Sequence, residues 1–552
     1  MFDGRFRTRR LAAVVLAVAL AVLPSSLVSQ PVAAAPAHDT IQASGSSWAA
    51  NAVNQWVADV KASGLRVSFT STGSAQGRKD FAAAVTDFAV SDIGYQGSDP
   101  KSGEADSSSR PYAYLPIVGG GTSFPYKILV GGRPVTNLRL SGLTLAKIFT
   151  GAITNWNDPA ITSDNNGRKL PSKPIIPVVH SEGAGSTAQF TRYLATMFPA
   201  IWTAYNQNPS FTEYYPHSGS ITAVYGSDGV MNYINSGSGD GTIGYDEYSY
   251  PLGLGFPVAK IRNAAGYYVL PDQYNDAVAL TQAQINMDKS SKDYLLQTLD
   301  KVYTYSDPRT YPLSSYSYAV IPTDPADRRM TTPKRQTLAD FLFYSVCGGQ
   351  AAIGATGYSS LPLNLVKASF QQVAKLKQAD PKVDLTTQSP ANCNNPTFDK
   401  AHPERNHLAE IAPQPAACDK QGAGPCGTTG NSGGSGSGGS AGGTGGGGSG
   451  AAGGAGAGTG NGGAAGGATS GGGPKAGTAK AKVNPVTGQL ETVAAAGSGA
   501  GADIEANPMD LADSSRAGSN TPFAILAVAL LLLALITPPL LTHRLARAKE
   551  TR

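Results

Sequence analysis

Residues 65–92 read LRVSFTSTGSAQGRKDFAAAVTDFAVSD, and this stretch indicates the fold better than any other part of the chain. Apolar and polar residues alternate from Leu65 to Thr70, as in a half-buried strand. Phe81 and Val85 have the spacing of one helix face, and residues 87–91 return to a short apolar strand. A strand, a helix and a second strand in this order predict neighbouring parallel strands joined by a crossover helix.

The same alternation of strands and helices continues on both sides of this stretch. Residues 53–60 and residues 190–197 have apolar side chains at helical spacing, and residues 174–179 form an apolar strand. The composition stays typical of a globular domain from His38 to about Pro413. We therefore expect an α/β fold in which helices cover a mostly parallel sheet.

The two ends of the chain predict export and membrane attachment. Residues 1–37 combine a basic start, a short apolar run and an Ala-x-Ala exit, the pattern of a cleaved signal peptide. Residues 523–541 carry no charge and are long enough for one transmembrane helix. The basic tail, residues 542–552, is expected in the cytoplasm, so the main domain is extracellular. A cell-wall sorting signal is the alternative, but no Leu-Pro-x-Thr-Gly precedes the apolar run.

The cysteines and the charge balance exclude several classes of protein. Cys347, Cys393, Cys418 and Cys426 lie outside the expected membrane span, where disulfides are favoured over metal ligation. Three pairings are possible, and we favour Cys347 with Cys393 and Cys418 with Cys426. The spacing does not match a zinc site, and no cofactor is expected. The net charge of +5 includes no long basic run in the globular part, so we expect no nucleic-acid partner.

The chain after the globular part changes composition twice. Residues 386–426 are rich in Cys, Pro and Asn and form an extension that matches no pattern. Residues 427–505 hold 31 of the 66 glycines together with Ala, Ser and Thr. Such a composition cannot bury enough apolar surface to fold, so we expect a disordered linker between the domain and the membrane.

Three clusters of small residues stand where a strand or loop leads into a helix, at residues 44–47, 71–74 and 183–187. The first N–H groups of a helix have no partner within the helix and lie at the positive end of its dipole, so they suit an anion. One such cluster is more often a plain helix cap than a ligand site. Three clusters indicate an anion site only if the fold brings them together.

At these clusters the chain resembles the phosphate-binding component of bacterial Pst-type phosphate ABC importers. The resemblance runs in order through IQASGSSW (41–48), STGSAQG (71–77), DFAVSD (87–92), LSGLTLAKIFTGAITNWNDPAI (140–161), VVHSEGAGST (178–187), GSDGVMNYI (226–234), GTIGYDEYSY (241–250) and YPLSSYSYAVIP (311–322). It implies a two-lobed periplasmic-binding-protein fold over residues 38–385, with a hinge. Lobe one would comprise residues 39–122 and 260–385, and lobe two residues 123–259.

The resemblance also implies a set of phosphate-binding residues and an importer permease as partner. The implied ligands are Ser47, Trp48, Ser74, Asp92, His180, Ala184, Gly185 and Ser186. A carboxylate such as Asp92 repels an anion unless the anion brings a proton to donate, so it would favour hydrogen phosphate over sulfate.

The loop at residues 180–186 departs from the family pattern. His180 stands where the family has Arg, and Ala184 where it has Ser. A histidine offers fewer donors than an arginine and is often neutral near pH 7, so affinity or selectivity for phosphate would change. His180 could instead pair with Glu182.

These features predict a membrane-tethered extracellular receptor that delivers phosphate or a related oxyanion to an ABC importer. A second hypothesis is a display or sensing module that keeps the fold without binding phosphate. A third is a hydrolase using Ser186 or Ser74 with His180, but neither serine lies in a Gly-x-Ser-x-Gly turn. We expect no catalytic residues.

Overall fold

The structure is a computed structural model that describes residues 38–99, 101–399, 402 and 405–426, together with six residues further on, 481–483 and 490–492. The chain divides into two compact units, residues 1–458 and residues 459–552, which are described separately.

The first unit contains both helices and strands along its described length. Its helices are α1 (Ala50–Lys61), α2 (Ser74–Ala82), α3 (Gly142–Phe149), α4 (Pro159–Asp164), α5 (Gly185–Met197), α6 (Pro199–Asn206), α7 (Gly226–Asn235), α8 (Ser249–Gly253), α9 (Gln273–Leu280), α10 (Asp300–Tyr303), α11 (Thr332–Val346), α12 (Gly349–Ile353), α13 (Leu363–Ala379) and α14 (His407–Ile411). Its strands are β1 (Ile41–Gly45), β2 (Val67–Ser71), β3 (Phe88–Ser91), β4 (Gly97–Ser98), β5 (Ala105–Asp106), β6 (Tyr112–Ser123), β7 (Tyr126–Lys127), β8 (Leu129–Val130), β9 (Arg133–Pro134), β10 (Arg139–Leu140), β11 (Ile176–His180), β12 (Thr222–Val224), β13 (Thr242–Gly244), β14 (Asp246–Glu247), β15 (Lys260–Arg262), β16 (Tyr268–Val269), β17 (Gln284–Ile285), β18 (Gln297–Thr298) and β19 (Ser314–Pro322).

The larger sheet has the strand order β14-β6-β19-β3-β1-β2. Strand β1 is parallel to β2 and to β3, whereas β19 is antiparallel to β3 and β6. The predicted strand, helix and strand of residues 65–92 are β2, α2 and β3, but β1 lies between the two strands. Val85 differs from the prediction: α2 ends at Ala82, Ala84 has a positive φ of 54°, and Val85 is 57% exposed.

The smaller sheet has the order β12-β11-β13-β7, with β11 parallel to both of its neighbours and β7 antiparallel at one edge. Helix α5 follows β11 and buries Phe190 and Leu194, the apolar face expected from the sequence. These two sheets, each packed with helices, form the two-lobed α/β fold that the sequence predicted.

Each lobe has its own apolar core. The core of lobe one gathers residues of β1, β3, β6, β19, α1, α11 and α13, and includes the buried Trp56. The core of lobe two is centred on Phe124, Phe190 and Tyr245. Ile261, Leu299 and other residues up to Leu313 pack in this second core. Residues 261–313 thus contribute to both cores, because Leu280 packs in the core of lobe one.

The chain passes between the lobes close to the ends of the large sheet. Strand β6 ends at Ser123, and the next residue, Phe124, already belongs to the core of lobe two. Strand β13 pairs within the small sheet, whereas β14, two residues later, pairs with Thr122 and Ser123 of β6. These adjacent crossings are the points at which the chain connects the two lobes.

The extension at residues 386–426 runs across both lobes. Asn395 donates hydrogen bonds to the carbonyls of Val346 (3.2 Å) and Leu361 (3.0 Å) in lobe one. Further along, Arg309 donates to the carbonyl of Ala409 (3.0 Å), and Asn137 of lobe two donates to that of Cys426 (2.7 Å). We call this segment the strap.

Both favoured disulfide pairings, Cys347–Cys393 and Cys418–Cys426, are present in the structure. The first ties the strap to the end of α11, and the second closes a short loop that packs on lobe two through the salt bridge of Lys260 with Asp419 (2.6 Å).

The two disulfides should differ in their effect on stability. The sequence separation is 46 residues for Cys347–Cys393 and 8 for Cys418–Cys426. Because the constraint on the unfolded chain grows with loop length, replacing the first pair by serines should lower the free energy of unfolding by about 2–4 kcal/mol, and replacing the second by less. Urea unfolding of the two double variants tests this order. Equal or reversed losses would contradict the loop-length explanation.

The second unit contains a pair of antiparallel strands, β20 (Ala481–Val483) and β21 (Leu490–Thr492). The expectation of disorder throughout residues 427–505 did not include this pairing. Val483 and Thr492 have side chains that favour strands. The rest of that linker, the signal peptide at 1–37, the transmembrane helix at 523–541 and the tail at 542–552 lie outside the described residues. Among the helices that are described, none is long and apolar enough to span a bilayer.

Candidate functional site

Asp92 is buried at the carboxyl end of β3, between the two lobes. The hydroxyl of Ser46 donates to both carboxylate oxygens of Asp92, at 2.7 and 2.8 Å, and that of Ser74 donates to Oδ2 at 3.1 Å. Across the interface, the side-chain amide of Gln189 in α5 donates to the carbonyl of Asp92 at 2.8 Å. Burial raises the pKa of Asp92, although the hydrogen bonds from serines oppose this shift.

The three clusters of small residues meet at Asp92. Ser46 lies just before α1, where its hydroxyl accepts the N–H of Ala49 at 3.0 Å, and Ser74 is the first residue of α2. Gly185 begins α5 on the opposite lobe. The convergence that the sequence alone could not establish is therefore present, and three helix N-termini face one buried carboxylate.

The two lobes touch closely at the start of α5. A Cβ atom added to Gly185 would lie 2.1 Å from Asp92 Oδ2 and 2.5 Å from Ser74 Oγ. The N–H of Ala75 donates across the interface to the carbonyl of Gly183 at 3.0 Å. Only glycine allows this approach, so the structure is that of a closed pair of lobes.

The start of α5 also presents free backbone donors. The first hydrogen bond within the helix joins Ala188 N–H to the carbonyl of Ala184 at 3.1 Å, so the N–H groups of Gly185, Ser186 and Thr187 precede it. The N–H of Ala184 is not available to a ligand, because it donates to the carbonyl of Glu213 at 2.9 Å. The hydroxyl of Ser186 is buried without a partner among the described residues.

His180 is fully buried at the end of β11 and pairs with Glu182, as the sequence allowed. Its Nδ1 lies 2.8 Å from Glu182 Oε1, and the other oxygen of Glu182 accepts the N–H of Gly226 at 3.0 Å. The Nε2 atom of His180 has no hydrogen-bond partner among the described residues; Asp246 Oδ2 lies 4.0 Å away. The hydrogen bond with Glu182 therefore fixes the orientation of the His180 ring through Nδ1, and Nε2 remains available to a ligand.

Ser47 and Trp48 lie at the start of α1, next to Ser46. Tyr250 donates to the carbonyl of Ser47 at 2.6 Å, and Tyr358 donates to the carbonyl of Trp48 at 2.7 Å. These two buried phenols hold the turn that leads into α1. Of the implied ligand residues, Ser74, Asp92 and Gly185 meet directly where the two lobes touch.

A buried ion-pair network beside the site also joins the lobes. Arg78 of α2 donates to Asp106 at 2.8 and 2.9 Å, to Glu213 of lobe two at 2.6 Å, and to Ser91 at 3.0 Å. Burial would lower the pKa of Arg78, but the charges of Glu213 and Asp106 outweigh it, so the pKa is raised. The pKa of Glu213 is also raised, because its own burial outweighs the attraction of Arg78. Arg78 therefore carries a permanent charge.

Sequence reasoning placed Ser46 in the cluster at residues 44–47 but not among the ligands, and it missed Arg78, Glu213 and Asp246. Ser46 is adjacent to the expected ligand Ser47, and Asp246 lies within residues 241–250, which carry the family resemblance. The sequence therefore offers a signal for both residues. Arg78 and Glu213 are 135 positions apart and carry no local signal of their contact.

Comparisons with known proteins identify the family. The family model of the PBP superfamily domain matches residues 30–347. Phosphate-binding protein PstS 3 of Mycobacterium tuberculosis is 30% identical over 325 residues, which cover 58% of this chain and 83% of that protein. Phosphate-binding protein PstS of Xylella fastidiosa is 30% identical over 329 residues, covering 59% of this chain and 83% of that protein.

A solved structure of a high-affinity periplasmic phosphate-binding protein, PfluDING, is 21% identical, with a TM-score of 0.45; the match covers 65% of this chain and all of that one. The family model spans more than half of the chain, and the curated relatives are matched over most of their length. The chain therefore belongs to the Pst-type phosphate-binding proteins of the PBP superfamily.

Proposed function

We propose that this protein is an extracellular receptor that binds hydrogen phosphate between its two lobes and delivers it to an ABC importer. The observation that carries the proposal is the meeting of three helix N-termini at the buried Asp92. Backbone N–H groups at the start of α5 and the hydroxyl of Ser186 would supply donors from one lobe, and Ser47 with the backbone N–H groups of Trp48 and Ser74 would supply them from the other. Ala184 positions α5 and is not a direct ligand, because its N–H is already engaged.

The presence of Asp92 favours an anion that still carries a proton. A buried carboxylate next to an anion is repelled unless the anion donates a hydrogen bond to it. Hydrogen phosphate and hydrogen arsenate can do so, whereas sulfate near neutral pH cannot. The site should therefore bind phosphate and arsenate and reject sulfate.

Replacing Asp92 by asparagine should weaken phosphate binding and reduce the discrimination against sulfate. The lost hydrogen bond to a charged group corresponds to a fall in phosphate affinity of about 10–100-fold. Sulfate affinity should rise, since the repelling charge is gone. Calorimetric titration of the full-length chain in mild detergent measures both, with the exposed Asp228→Asn as matched control. Unchanged affinities for both anions in Asp92→Asn would remove Asp92 from the proposed site.

The same titration separates the receptor from the alternatives. If the folded wild-type chain binds none of phosphate, arsenate and sulfate, the hypothesis of a display or sensing module replaces the receptor. The hydrolase hypothesis needs a serine hydrogen-bonded to His180, and neither Ser186 Oγ nor His180 Nε2 has a hydrogen-bond partner among the described residues. The Ser74 hydroxyl is bonded to Asp92, and His180 is bonded to Glu182 rather than to a serine.

The location follows from the sequence and belongs to the proposal. A signal peptide at residues 1–37 and a membrane helix at residues 523–541 would keep the main domain outside the cell, with residues 542–552 in the cytoplasm. The curated relatives named as phosphate-binding proteins support the phosphate ligand and, through their Pst names, a partnership with an importer. Fractionation of cells, with protease added from outside, tests the topology.

A further inference from the structure

His180 is held between two carboxylates on different elements of lobe two. Glu182, on the loop after β11, lies 2.8 Å from Nδ1, and Asp246 of β14 lies 4.0 Å from Nε2. All three side chains are at most 8% exposed. The nearest Asp246 oxygen, Oδ2, has no hydrogen-bond partner of its own within the described residues, and neither has His180 Nε2. The distance between these two atoms is too long for a hydrogen bond.

The other titratable group next to His180 is Tyr245, whose ring centroid lies 5.4 Å from that of the imidazole. Its hydroxyl is 2.6 Å from Thr187 Oγ1, and burial raises its pKa, so the phenol stays neutral. The charge around His180 is therefore set by Glu182 and Asp246.

Protonation of this cluster can be followed from acid to base. Burial lowers the pKa of His180, but the hydrogen bond and charge of Glu182, together with the charge of Asp246, outweigh burial, and the net direction is upward. Burial raises the pKa of Asp246 to about 6. Burial would raise the pKa of Glu182, but the hydrogen bond and the charge of His180 outweigh burial, so the pKa of Glu182 is lowered. Glu182 is therefore ionised throughout.

The net charge of the three side chains becomes more negative as the pH rises. Below about pH 6, one carboxylate and one imidazolium cancel, and the cluster is neutral. Above that pH, Asp246 ionises and the charge is −1. Once His180 loses its proton, the charge is −2, and Nε2 can no longer donate to an anion. Each step disfavours a bound anion.

We propose that His180 and Asp246 couple anion binding to protonation of the site. Phosphate then binds more tightly in mild acid than in mild base, and bound phosphate keeps His180 protonated. The inference rests on the proposed function. At 4.0 Å, Asp246 Oδ2 is too far away to accept a hydrogen bond from His180 Nε2. A bound oxyanion would supply the acceptor instead. Asp246 is in this sense an affinity-determining residue that acts through His180.

The test compares the full-length wild type with His180→Arg, which carries a permanent charge at this position. Phosphate affinity is measured by calorimetry from pH 6 to pH 8.5, in buffers of different ionisation enthalpy, which report proton uptake. Phosphate itself titrates in this range, but equally for both proteins. The wild type should lose about tenfold more affinity across the range than His180→Arg, and it should take up more protons on binding. His217→Arg, at an exposed histidine, is the matched control.

A second variant keeps the inference testable if His180→Arg does not fold. Asp246→Asn removes the charge that supports the imidazolium, so the midpoint of His180 titration should fall by about one pH unit or more, measured by NMR of histidine labelled with ¹³C at Cε1. Phosphate binding with superimposable pH profiles in wild type and His180→Arg, or an unchanged midpoint in Asp246→Asn, would overturn the inference. Absence of phosphate binding at every pH in every variant would instead overturn the proposed function.

Discussion

Arg78→Ala is expected to lower the free energy of unfolding by about 3–5 kcal/mol, the usual cost of removing one partner from a buried ion pair. Arg78 is fully buried and holds Asp106 and Glu213 at 2.6 to 2.9 Å. Without the guanidinium, two buried carboxylates lose their counter-ion, and the pKa of Glu213 is already raised by burial. Urea unfolding of the full-length chain, followed by circular dichroism, measures the loss.

Two further variants identify the origin of this effect. Arg66→Ala changes an exposed arginine next to β2 and should alter stability by less than about 0.5 kcal/mol. The triple variant Arg78→Met, Asp106→Asn and Glu213→Gln removes all three charges and should recover most of the loss, because no uncompensated carboxylate remains. A loss below about 1 kcal/mol in Arg78→Ala would show that the network is not an important stabilising contact.

Gly185→Ala should weaken phosphate binding strongly while leaving the protein folded. The added methyl group would lie 2.1 Å from Asp92 Oδ2 and 2.5 Å from Ser74 Oγ, both on the opposite lobe. Separating the lobes relieves this clash without disturbing either core. At an overpacking cost of up to about 3 kcal/mol in the closed state, affinity should fall about 100-fold.

The measurement combines phosphate calorimetry with small-angle X-ray scattering of the full-length chain. Gly185→Ala should keep the more open form, with a larger radius of gyration than the wild type in phosphate. Gly229→Ala in α7 is the matched control, since the nearest atom to its added methyl group is 3.8 Å away. Wild-type affinity in Gly185→Ala would mean that the lobes do not meet at this glycine when phosphate is bound.

Local sequence patterns predicted the elements of the fold better than their arrangement. The alternation at residues 65–70 became β2, and the helical spacing at residues 190–197 became α5. Val85 was misplaced because spacing alone does not reveal that the backbone leaves the helix at Ala84, where φ is 54°. The insertion of β1 between β2 and β3 depends on contacts between residues distant in sequence, which no local pattern encodes.

The site was predictable where its chemistry is local. Helix-capping clusters can be recognised in single stretches of the chain, whereas their convergence at Asp92 depends on the fold. The two-residue spacing likewise anticipated the contact of His180 with Glu182. Asp246 comes to His180 from another strand, and Glu213 comes to Arg78 from the other lobe, so neither partner could be recognised before the fold was known.

The path of the strap determines which lobe would be connected to a membrane anchor. The strap leaves lobe one near Asn395 and ends at Cys426, which is held by Asn137 of lobe two. Any membrane anchor downstream of Cys426 would therefore be connected to the domain through lobe two. Lobe one, with Asp92 and Ser74, would then be the lobe farther along the chain from the anchor, and its closure would not need to move the attachment point.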